Sequence, residues 1–327
     1  MHPTHPAPAA RSGIVVLGIF AADLSFRAPR LPTIGETLIG EAFALGAGGK
    51  GSNQAVAAAR AGGAVRFVTR IGADAFGDVA LRTWRDAGVD TRHVARVEGA
   101  STGAAFIYVS SLTGDNAIIV VPGAAGALGP ADVASAEPSL REAGLFVTQL
   151  EQPLAAVEAG LSAARRHGVP TLLNPAPAPA GGLPDALLAQ CDHLTPNETE
   201  AQALTGVEIR SPDDALRAAQ ALRARGAGTV VVTLGGQGAV LLDAAQVVLV
   251  PAQAGGPVVD TTGAGDAFNG AYAVALVEGR GALEAVRFAN AAAGLSVTRH
   301  GTAAAMAARA EIDAALARAP APVSLRG

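Results

Sequence analysis

The 327-residue chain is poor in several residue types: one cysteine, one tryptophan, two methionines, two tyrosines and one lysine. A single Cys191 rules out an internal disulfide and suits a reducing, cytoplasmic setting. No apolar run approaches the roughly 18 residues of a membrane helix, so no membrane partner is expected. The run Ile14–Ala22 follows Arg11 and has the length of a signal-peptide core. The segment before it is rich in Pro and His rather than basic, so the run reads as a first buried strand ending at Asp23, behind a disordered tail, Met1–Ser12. Excess positive charge is missing too. The formal net charge is -4 and the pI about 5.9, which gives no footprint for nucleic acid. Of the 24 basic residues all but Lys50 are arginine. Coding bias explains the shortage of lysine but not the place of the exception, among the glycines of Gly48-Gly49-Lys50-Gly51. There a compact charge on a flexible stem is a sensible partner for phosphate.

What is present is enough apolar residue to build a large core: 50% of the chain is hydrophobic and 16% charged. Strand-like runs at Ile14–Ile19, Val65–Ile71, Gly144–Gln149, Val169–Asn174, Asp192–Thr195 and Thr229–Leu234 are separated by helical patterns at Asn53–Ala61, Ala75–Ala87, Leu154–Arg166, Glu198–Leu204 and Pro212–Arg225. Ala282–Thr298 reads as a buried, Ala-rich helix. Strands spaced by helices predict an α/β fold, a mostly parallel sheet covered on both faces. Two stretches break this rhythm. Asp23–Leu45 has no good helix, and Thr102–Val121 alternates like a hairpin about Thr113-Gly114-Asp115-Asn116. They predict a small β lid, with segments at about 23–46 and 100–122, on a single α/β unit spanning 13–327.

The run Asp260-Thr261-Thr262-Gly263-Ala264-Gly265-Asp266 carries the most chemistry. Small residues at 263–265 let backbone amides crowd a guest. A helix begins directly after them, with Phe268, Tyr272, Ala275 and Leu276 on one stripe. Helix N-termini bind anions, and a carboxylate at the junction, Asp266, can take a proton from an attacking hydroxyl. This is the layout of a phosphoryl-transfer site.

A second glycine run, Gly46-Ala47-Gly48-Gly49-Lys50-Gly51, matches a dinucleotide fingerprint in letters only. About 25 residues separate it from the first strand. A P-loop fails as well, because Ala44 stands where glycine is needed and Gly51 where a hydroxyl residue is needed. Gly49, Lys50 and Asn53 suit a polyol site, in which Asn53 could both donate and accept. The alternative is a plain helix cap at Ser52 or Asn53. Asp23 and Glu151 follow strands directly, where α/β proteins bind ligands, though Asp23 taken alone reads first as a solvated turn residue. Asn197-Glu198-Thr199-Glu200 reads as a helix cap or as a phosphate or metal-water site. Leu234-Gly235-Gly236-Gln237-Gly238 reads as a hairpin turn or a nucleotide rest.

Taken in order, Gly48–Ala55 and Asp260–Phe268, together with Leu31–Thr37, Gln149–Glu151, Asn174–Ala178 and Thr195–Glu200, resemble the signatures of the ribokinase-like family of carbohydrate kinases. The likeness covers roughly residues 13–318. It implies a Rossmann-like α/β fold with a β lid, and phosphoryl transfer from ATP to the primary hydroxyl of a sugar, D-ribose foremost. Another sugar or a nucleoside, or a regulator that binds sugar or nucleotide without turnover, are the alternatives. It implies ATP near Asn197, Thr233, Gly235, Gly238, Gly265 and Asn290. The sugar would be held by Asp23, Gly49, Lys50, Asn53, Glu151 and Asp266, with Asp266 as base and the backbone of Gly263, Ala264 and Gly265 as anion hole. Mg²⁺ would be held largely through water, helped by Glu200. A K⁺ ion would be ligated by the Asp260 side chain and the carbonyls of Thr262, Ser296, Arg299 and Gly301. The resemblance also implies homodimers paired through the lid. The chain departs from the family pattern at Ala21, where asparagine is usual two residues before the lid-base aspartate, at Ala125, and at Ala305, where a hydroxyl residue usually helps to bind the cation.

Overall fold

The strand nearest the N-terminus is buried on both faces, which fixes the layering of the molecule. Ile14 and Val16 face one apolar core and Val15 and Leu17 the other. The same split recurs at Leu145 and Val147 against Phe146, and at Val231 against Val230 and Val232. Because successive side chains of a strand point to opposite faces, near-continuous apolar strands demand helices on both sides of the sheet.

The computed structural model describes residues 11–325. The expected tail, Met1–Ser12, lies outside the described residues for its first ten positions. Arg11 is pinned, its guanidinium donating to the carbonyls of His167 and Gly168.

In chain order the elements are β1 (Ile14–Leu17), β2 (Ala21–Ala28), β3 (Ala42–Gly48), α1 (Lys50–Arg60), β4 (Val65–Gly72), α2 (Ala75–Ala87), β5 (Asp90–Val97), β6 (Thr102–Ser110), β7 (Asn116–Gly123) and α3 (Pro130–Glu142). There follow β8 (Leu145–Thr148), α4 (Leu154–Arg166), β9 (Thr171–Leu173), α5 (Asp185–Leu188), β10 (His193–Leu194), α6 (Glu198–Thr205) and α7 (Pro212–Ala224). The last are β11 (Thr229–Thr233), β12 (Ala239–Leu242), β13 (Val247–Val250), α8 (Ala264–Val277), α9 (Ala282–Ser296), α10 (Arg309–Leu316) and β14 (Val323–Ser324).

The main sheet has ten strands in the order β14-β13-β12-β11-β10-β9-β8-β1-β4-β5. It is parallel from β11 to β5 and antiparallel through β12, β13 and β14. Helices α1, α2, α8, α9 and α10 pack on one face, and α3, α4, α5, α6 and α7 on the other.

A separate four-stranded sheet, β3-β2-β6-β7, carries antiparallel β2–β3 and β6–β7 pairs joined by a parallel β2–β6 pair. Asp74, the N-cap of α2, clamps this sheet to the body. Its carboxylate accepts from the Gly77 amide (2.8 Å), the Thr102 amide (2.7 Å) and the Thr102 hydroxyl (2.7 Å).

Several elements were not expected from the sequence. Helix α3 carries Pro138 inside it, a residue that ordinarily ends a helix. Val133, Ala136 and Leu140 hold the helix to the core regardless. Edge strand β5 is too polar to show an alternating pattern, and the β12–β13 hairpin is too short to stand out.

Candidate active site

The site forms where the carboxyl ends of the central parallel strands meet the N-termini of α1 and α8, the usual ligand crevice of an open α/β sheet. Strand β1 lies between β8 and β4. The chain leaves β1, enters the small sheet at β2 and returns along β3 into α1. This path brings Asp23 over the glycines at 48 and 49. A methyl group on Gly48 would lie 2.3–2.5 Å from the Asp23 carboxyl atoms. Gly49 has φ +85°, and a methyl group there would meet the Ile19 carbonyl at 2.6 Å. Only glycine lets the backbone pass so close. Gly49 is the N-cap of α1, so the helix begins at Lys50 and Asn53 lies within it rather than capping it.

Asn53 and Asp266 come together across more than two hundred residues. The Asn53 Nδ2 donates to Asp266 Oδ2 (3.0 Å), and Gln54 Nε2 donates to Asp266 Oδ1 (3.1 Å). Both partners stand on α1, which packs against α8 with Gly270 tight against Ala57 and the Gln54 carbonyl. Asn53 is 4% exposed, and its Oδ1 is a buried acceptor with no partner among the described residues. Such an atom calls for a donor from a ligand. Gly263, φ +77°, caps α8. The Ala264 amide folds back on the Thr261 carbonyl (3.2 Å). The amides of Gly263, Gly265 and Asp266 meet no acceptor among the described residues, leaving free donors where an anion would sit.

Three acidic groups, Asp266, Glu151 and Glu200, surround Lys50. Its own amide donates to Glu151 Oε2 (2.7 Å). Burial alone would lower the Lys50 pKa, but Asp266, Glu151 and Glu200 outweigh it and hold the ammonium above its ordinary value. Burial pushes Asp266 up, opposed by Lys50, Asn53 and Gln54. Burial raises Asp23 to about 6, helped by the Asp266 charge. Burial also raises Glu151 to about 7, with Lys50 opposing and the Asp266 and Asp23 charges adding. Glu200 is raised by burial as well. Crowded, raised carboxylates around one cation are the electrostatics of a functional cleft.

Two adjoining cavities open here. A polar one of about 160 Å³ is lined by Lys50, Asn197, Glu200, Gly265 and Asp266, and also by Asn174, Thr195 and Asn269. A larger one of about 490 Å³ is lined by Thr233, Gly235, Gly238, Gly265 and Asn290, with Val258, Phe268 and Val297 adding apolar walls. Both share Thr233, Thr261, Ala264 and Gly265, so they meet at the start of α8. Asn197 and Glu200 form a capping box. The Asn197 amide reaches Glu200 Oε2 (2.9 Å), and the Glu200 amide reaches Asn197 Oδ1 (2.8 Å). The Asn290 Nδ2 braces the carbonyls of Val250 and Pro251 (3.0 Å each). The 235–238 turn closes the β11–β12 hairpin, and its Gly235, Gly236 and Gly238 line the large cavity.

Asp260 is held by amides, Thr262 N–H on Oδ1 (2.9 Å) and Gly301 N–H on Oδ2 (3.0 Å). Burial acts against these bonds, yet they keep its pKa below the usual value. Ser296 and Arg299 lie in the turn that ends α9, where the Arg299 amide donates to the Ser296 carbonyl (3.1 Å) and Arg299 pairs with Glu311. Thr302 joins the two halves of the site. Its hydroxyl donates to the Ala47 carbonyl (2.6 Å), and its side chain packs beside Gly263.

Sequence reasoning assigned no role to Gln54, Asn174, Thr195, Asn269 or Thr302. The first three were quoted within motifs, but amides and hydroxyls read as functional only once their partners are known.

A family model described as "pfkB family carbohydrate kinase" matches residues 11–309. A ribokinase of Haemophilus influenzae is 39% identical, over 92% of this chain and 97% of its own. A deoxyribokinase of Salmonella typhi is 38% identical, over 88% and 94%. The solved structure of Arabidopsis thaliana ribokinase complexed with ribose and ATP superimposes with a TM-score of 0.88 at 34% identity, covering 93% of this chain and 98% of that one.

Proposed function

The chain belongs to the pfkB family of carbohydrate kinases, and on that premise we infer that it transfers the γ-phosphoryl group of ATP to the primary hydroxyl of a pentose, D-ribose to D-ribose 5-phosphate. The observation that carries this is Asp266, buried at the start of α8 beside unpaired amides and in hydrogen-bond contact with Asn53.

In the reaction, Asp266 takes the hydroxyl proton as the sugar oxygen bonds to the γ-phosphorus. The bond from that phosphorus to the bridging oxygen breaks, and ADP leaves. The amides at the start of α8 take up charge on the transferring group, where preorganised donors act most strongly. Lys50 faces the same space and is kept cationic. Asp23, Gly49, Asn53 and Glu151 hold the sugar. The unpartnered Asn53 Oδ1 suits a sugar hydroxyl. The cavity of about 490 Å³, apolar on one wall and glycine-lined on another, suits a nucleoside, with Asn197, Thr233, Gly235, Gly238 and Asn290 around it.

Glu200, with Asn197 beside it, would hold Mg²⁺ in the polar cavity largely through water, and the ion would supply charge neutralisation on the phosphates. A K⁺ ion would be held by the Asp260 carboxylate and the carbonyls of Thr262, Ser296, Arg299 and Gly301. Buried Ala305 offers no oxygen, so the set is one ligand short. Homodimers through the small sheet find support in its exposed aromatic cluster, Phe26, Phe43 and Phe106, with ring centroids 5.0 and 5.7 Å apart. We assign the enzyme to the reducing cytoplasm, where buried free Cys191 is at home.

A second reading keeps the chemistry and changes the sugar. Ala21, 3% exposed and paired with Gly48 in the small sheet, presents no hydrogen-bonding group beside Asp23. A pentose with one hydroxyl fewer, such as 2-deoxyribose, loses little there, and one relative is named a deoxyribokinase. ADP release measured with ATP, Mg²⁺ and K⁺ against ribose, 2-deoxyribose, fructose and adenosine decides between them by kcat/KM. No ADP with any of them, despite saturable sugar binding, would mark a non-catalytic binding protein.

A further inference from the structure

Asp266 is gripped by a side chain whose own orientation is set from a backbone carbonyl two steps away. The Thr195 carbonyl can only accept, so it draws the amide nitrogen of Asn174 (2.9 Å). That turns Asn174 Oδ1 toward Gln54, where it can only accept, and Gln54 Nε2 donates to it (3.0 Å). The second hydrogen of Nε2 goes to Asp266 Oδ1 (3.1 Å). From the other side Gln149 Nε2 donates to Gln54 Oε1 (2.6 Å), which forbids a flip of the Gln54 amide. The Gln149 main chain is held by Gln152 Nε2, which donates to its carbonyl (2.8 Å), while the Gln149 side-chain Oε1 meets no partner among the described residues. Room for Gln149 comes from two glycines, because a methyl group on Gly18 would lie 2.4 Å, and on Gly51 2.9 Å, from Gln149 Oε1. Gln54, Gln149 and Asn174 are all buried.

We propose that Gln54 is a positioning residue for the phosphoryl-transfer base: the amide chain Thr195–Asn174–Gln54, pinned by Gln149, presents a fixed N–H donor to Asp266 Oδ1 and so orients that carboxylate and keeps it a proton acceptor. A donor aimed at a carboxylate favours its charged form, and burial at this site works in the opposite sense. The charged groups facing Asp266 are Lys50 of α1, Asp23 of β2, Glu151 after β8 and Glu200 of α6. Only Lys50 favours the ionised state, so the Gln54 and Asn53 donors matter. The proposal rests on Asp266 acting as the base.

The test is the pH profile of kcat/KM for Gln54→Met, which keeps the bulk of the side chain and removes the donor, and for Gln149→Met, which touches Gln54 but not Asp266. For Gln54→Met the acid limb should move to higher pH by about one unit, the order that a charge-assisted hydrogen bond supports. Gln149→Met should move it the same way by less. An acid limb unmoved in both variants, with rate lost evenly at every pH, would overturn the proposal. If Gln54→Met does not fold, an unmoved limb in folded Gln149→Met overturns it and an upward shift sustains it. Asp266→Asn measured alongside separates the two levels. Turnover retained in that variant removes the base, and with it the foundation of this role. Turnover lost there, with unmoved limbs in the glutamine variants, removes only the role of Gln54.

Discussion

Replacing Asp266 by Asn removes a proton acceptor while keeping the shape of the side chain. In the folded enzyme Asp266 accepts two hydrogen bonds, from Asn53 Nδ2 and Gln54 Nε2. An amide at 266 can accept only one of them and turns an N–H toward the other donor. About 1 kcal/mol of hydrogen bonding is lost there. The cost of a buried charge, seen in the raised Asp266 pKa, disappears at the same time. The two changes oppose each other, so the unliganded variant should melt within a few degrees of the parent. Catalysis has no such compensation. A general base contributes about 10²–10⁴-fold, or roughly 3–5 kcal/mol of barrier. kcat at saturating ribose and ATP, followed as ADP release, should fall by that factor at pH values above the acid limb, and by less below it, where the parent's own base is protonated. Turnover within tenfold of the parent in a folded variant would refute the assignment of Asp266 as base, and with it the reading of the α8 junction as the reacting centre.

Asp23→Asn should raise the sugar KM by about 10–100-fold, the worth of a charged hydrogen bond, with a smaller effect on kcat in the same assay. The same variant tests the electrostatics. The folded pKa of Asp23 is raised to about 6, so its ionisation costs stability that is lost as pH rises through that value. Without ligand, Asp23→Asn should therefore melt higher than the parent at pH 8 and equal to it near pH 4, in thermal scans across that range. Ala21→Asn should favour ribose over 2-deoxyribose by about tenfold in kcat/KM relative to the parent, the scale of one hydrogen bond to a substrate hydroxyl; an unchanged ratio would mean that residue 21 does not read the sugar. Exchanging K⁺ for Cs⁺ or choline should lower kcat, and Asp260→Ala, which releases the Thr262 and Gly301 amides, should abolish the response to K⁺.

The layered α/β body was legible because buried parallel strands and amphipathic helices have different periods, and both run clean through Ile14–Leu17, Thr229–Thr233 and Leu154–Arg166. The small sheet was legible from the hairpin letters at 113–116 and from the absence of a helix before Leu45. Helix α3 and strand β5 were not, since Pro138 and the polar edge residues speak against the elements that packing imposes on them. The residues around Asp266 divide in the same way. Asp266 could be named in advance as a carboxylate beside glycines at a helix start, whereas Asn53, Asp23 and Glu151 had plain structural alternatives and were singled out by the family resemblance. Gln54 and Thr302 could not, because an amide or hydroxyl acquires a role only from the atom opposite it. Those atoms, Asp266 Oδ1 and the Ala47 carbonyl, arrive from 212 and 255 residues away. Local composition thus decided which groups could react and which segments would be buried. The orientation of the base, the depth of its burial and the sharing of charge among Lys50, Glu151 and Glu200 were decided by packing. Those quantities depend on distance and on exclusion of water, and neither exists in the chain until it has folded.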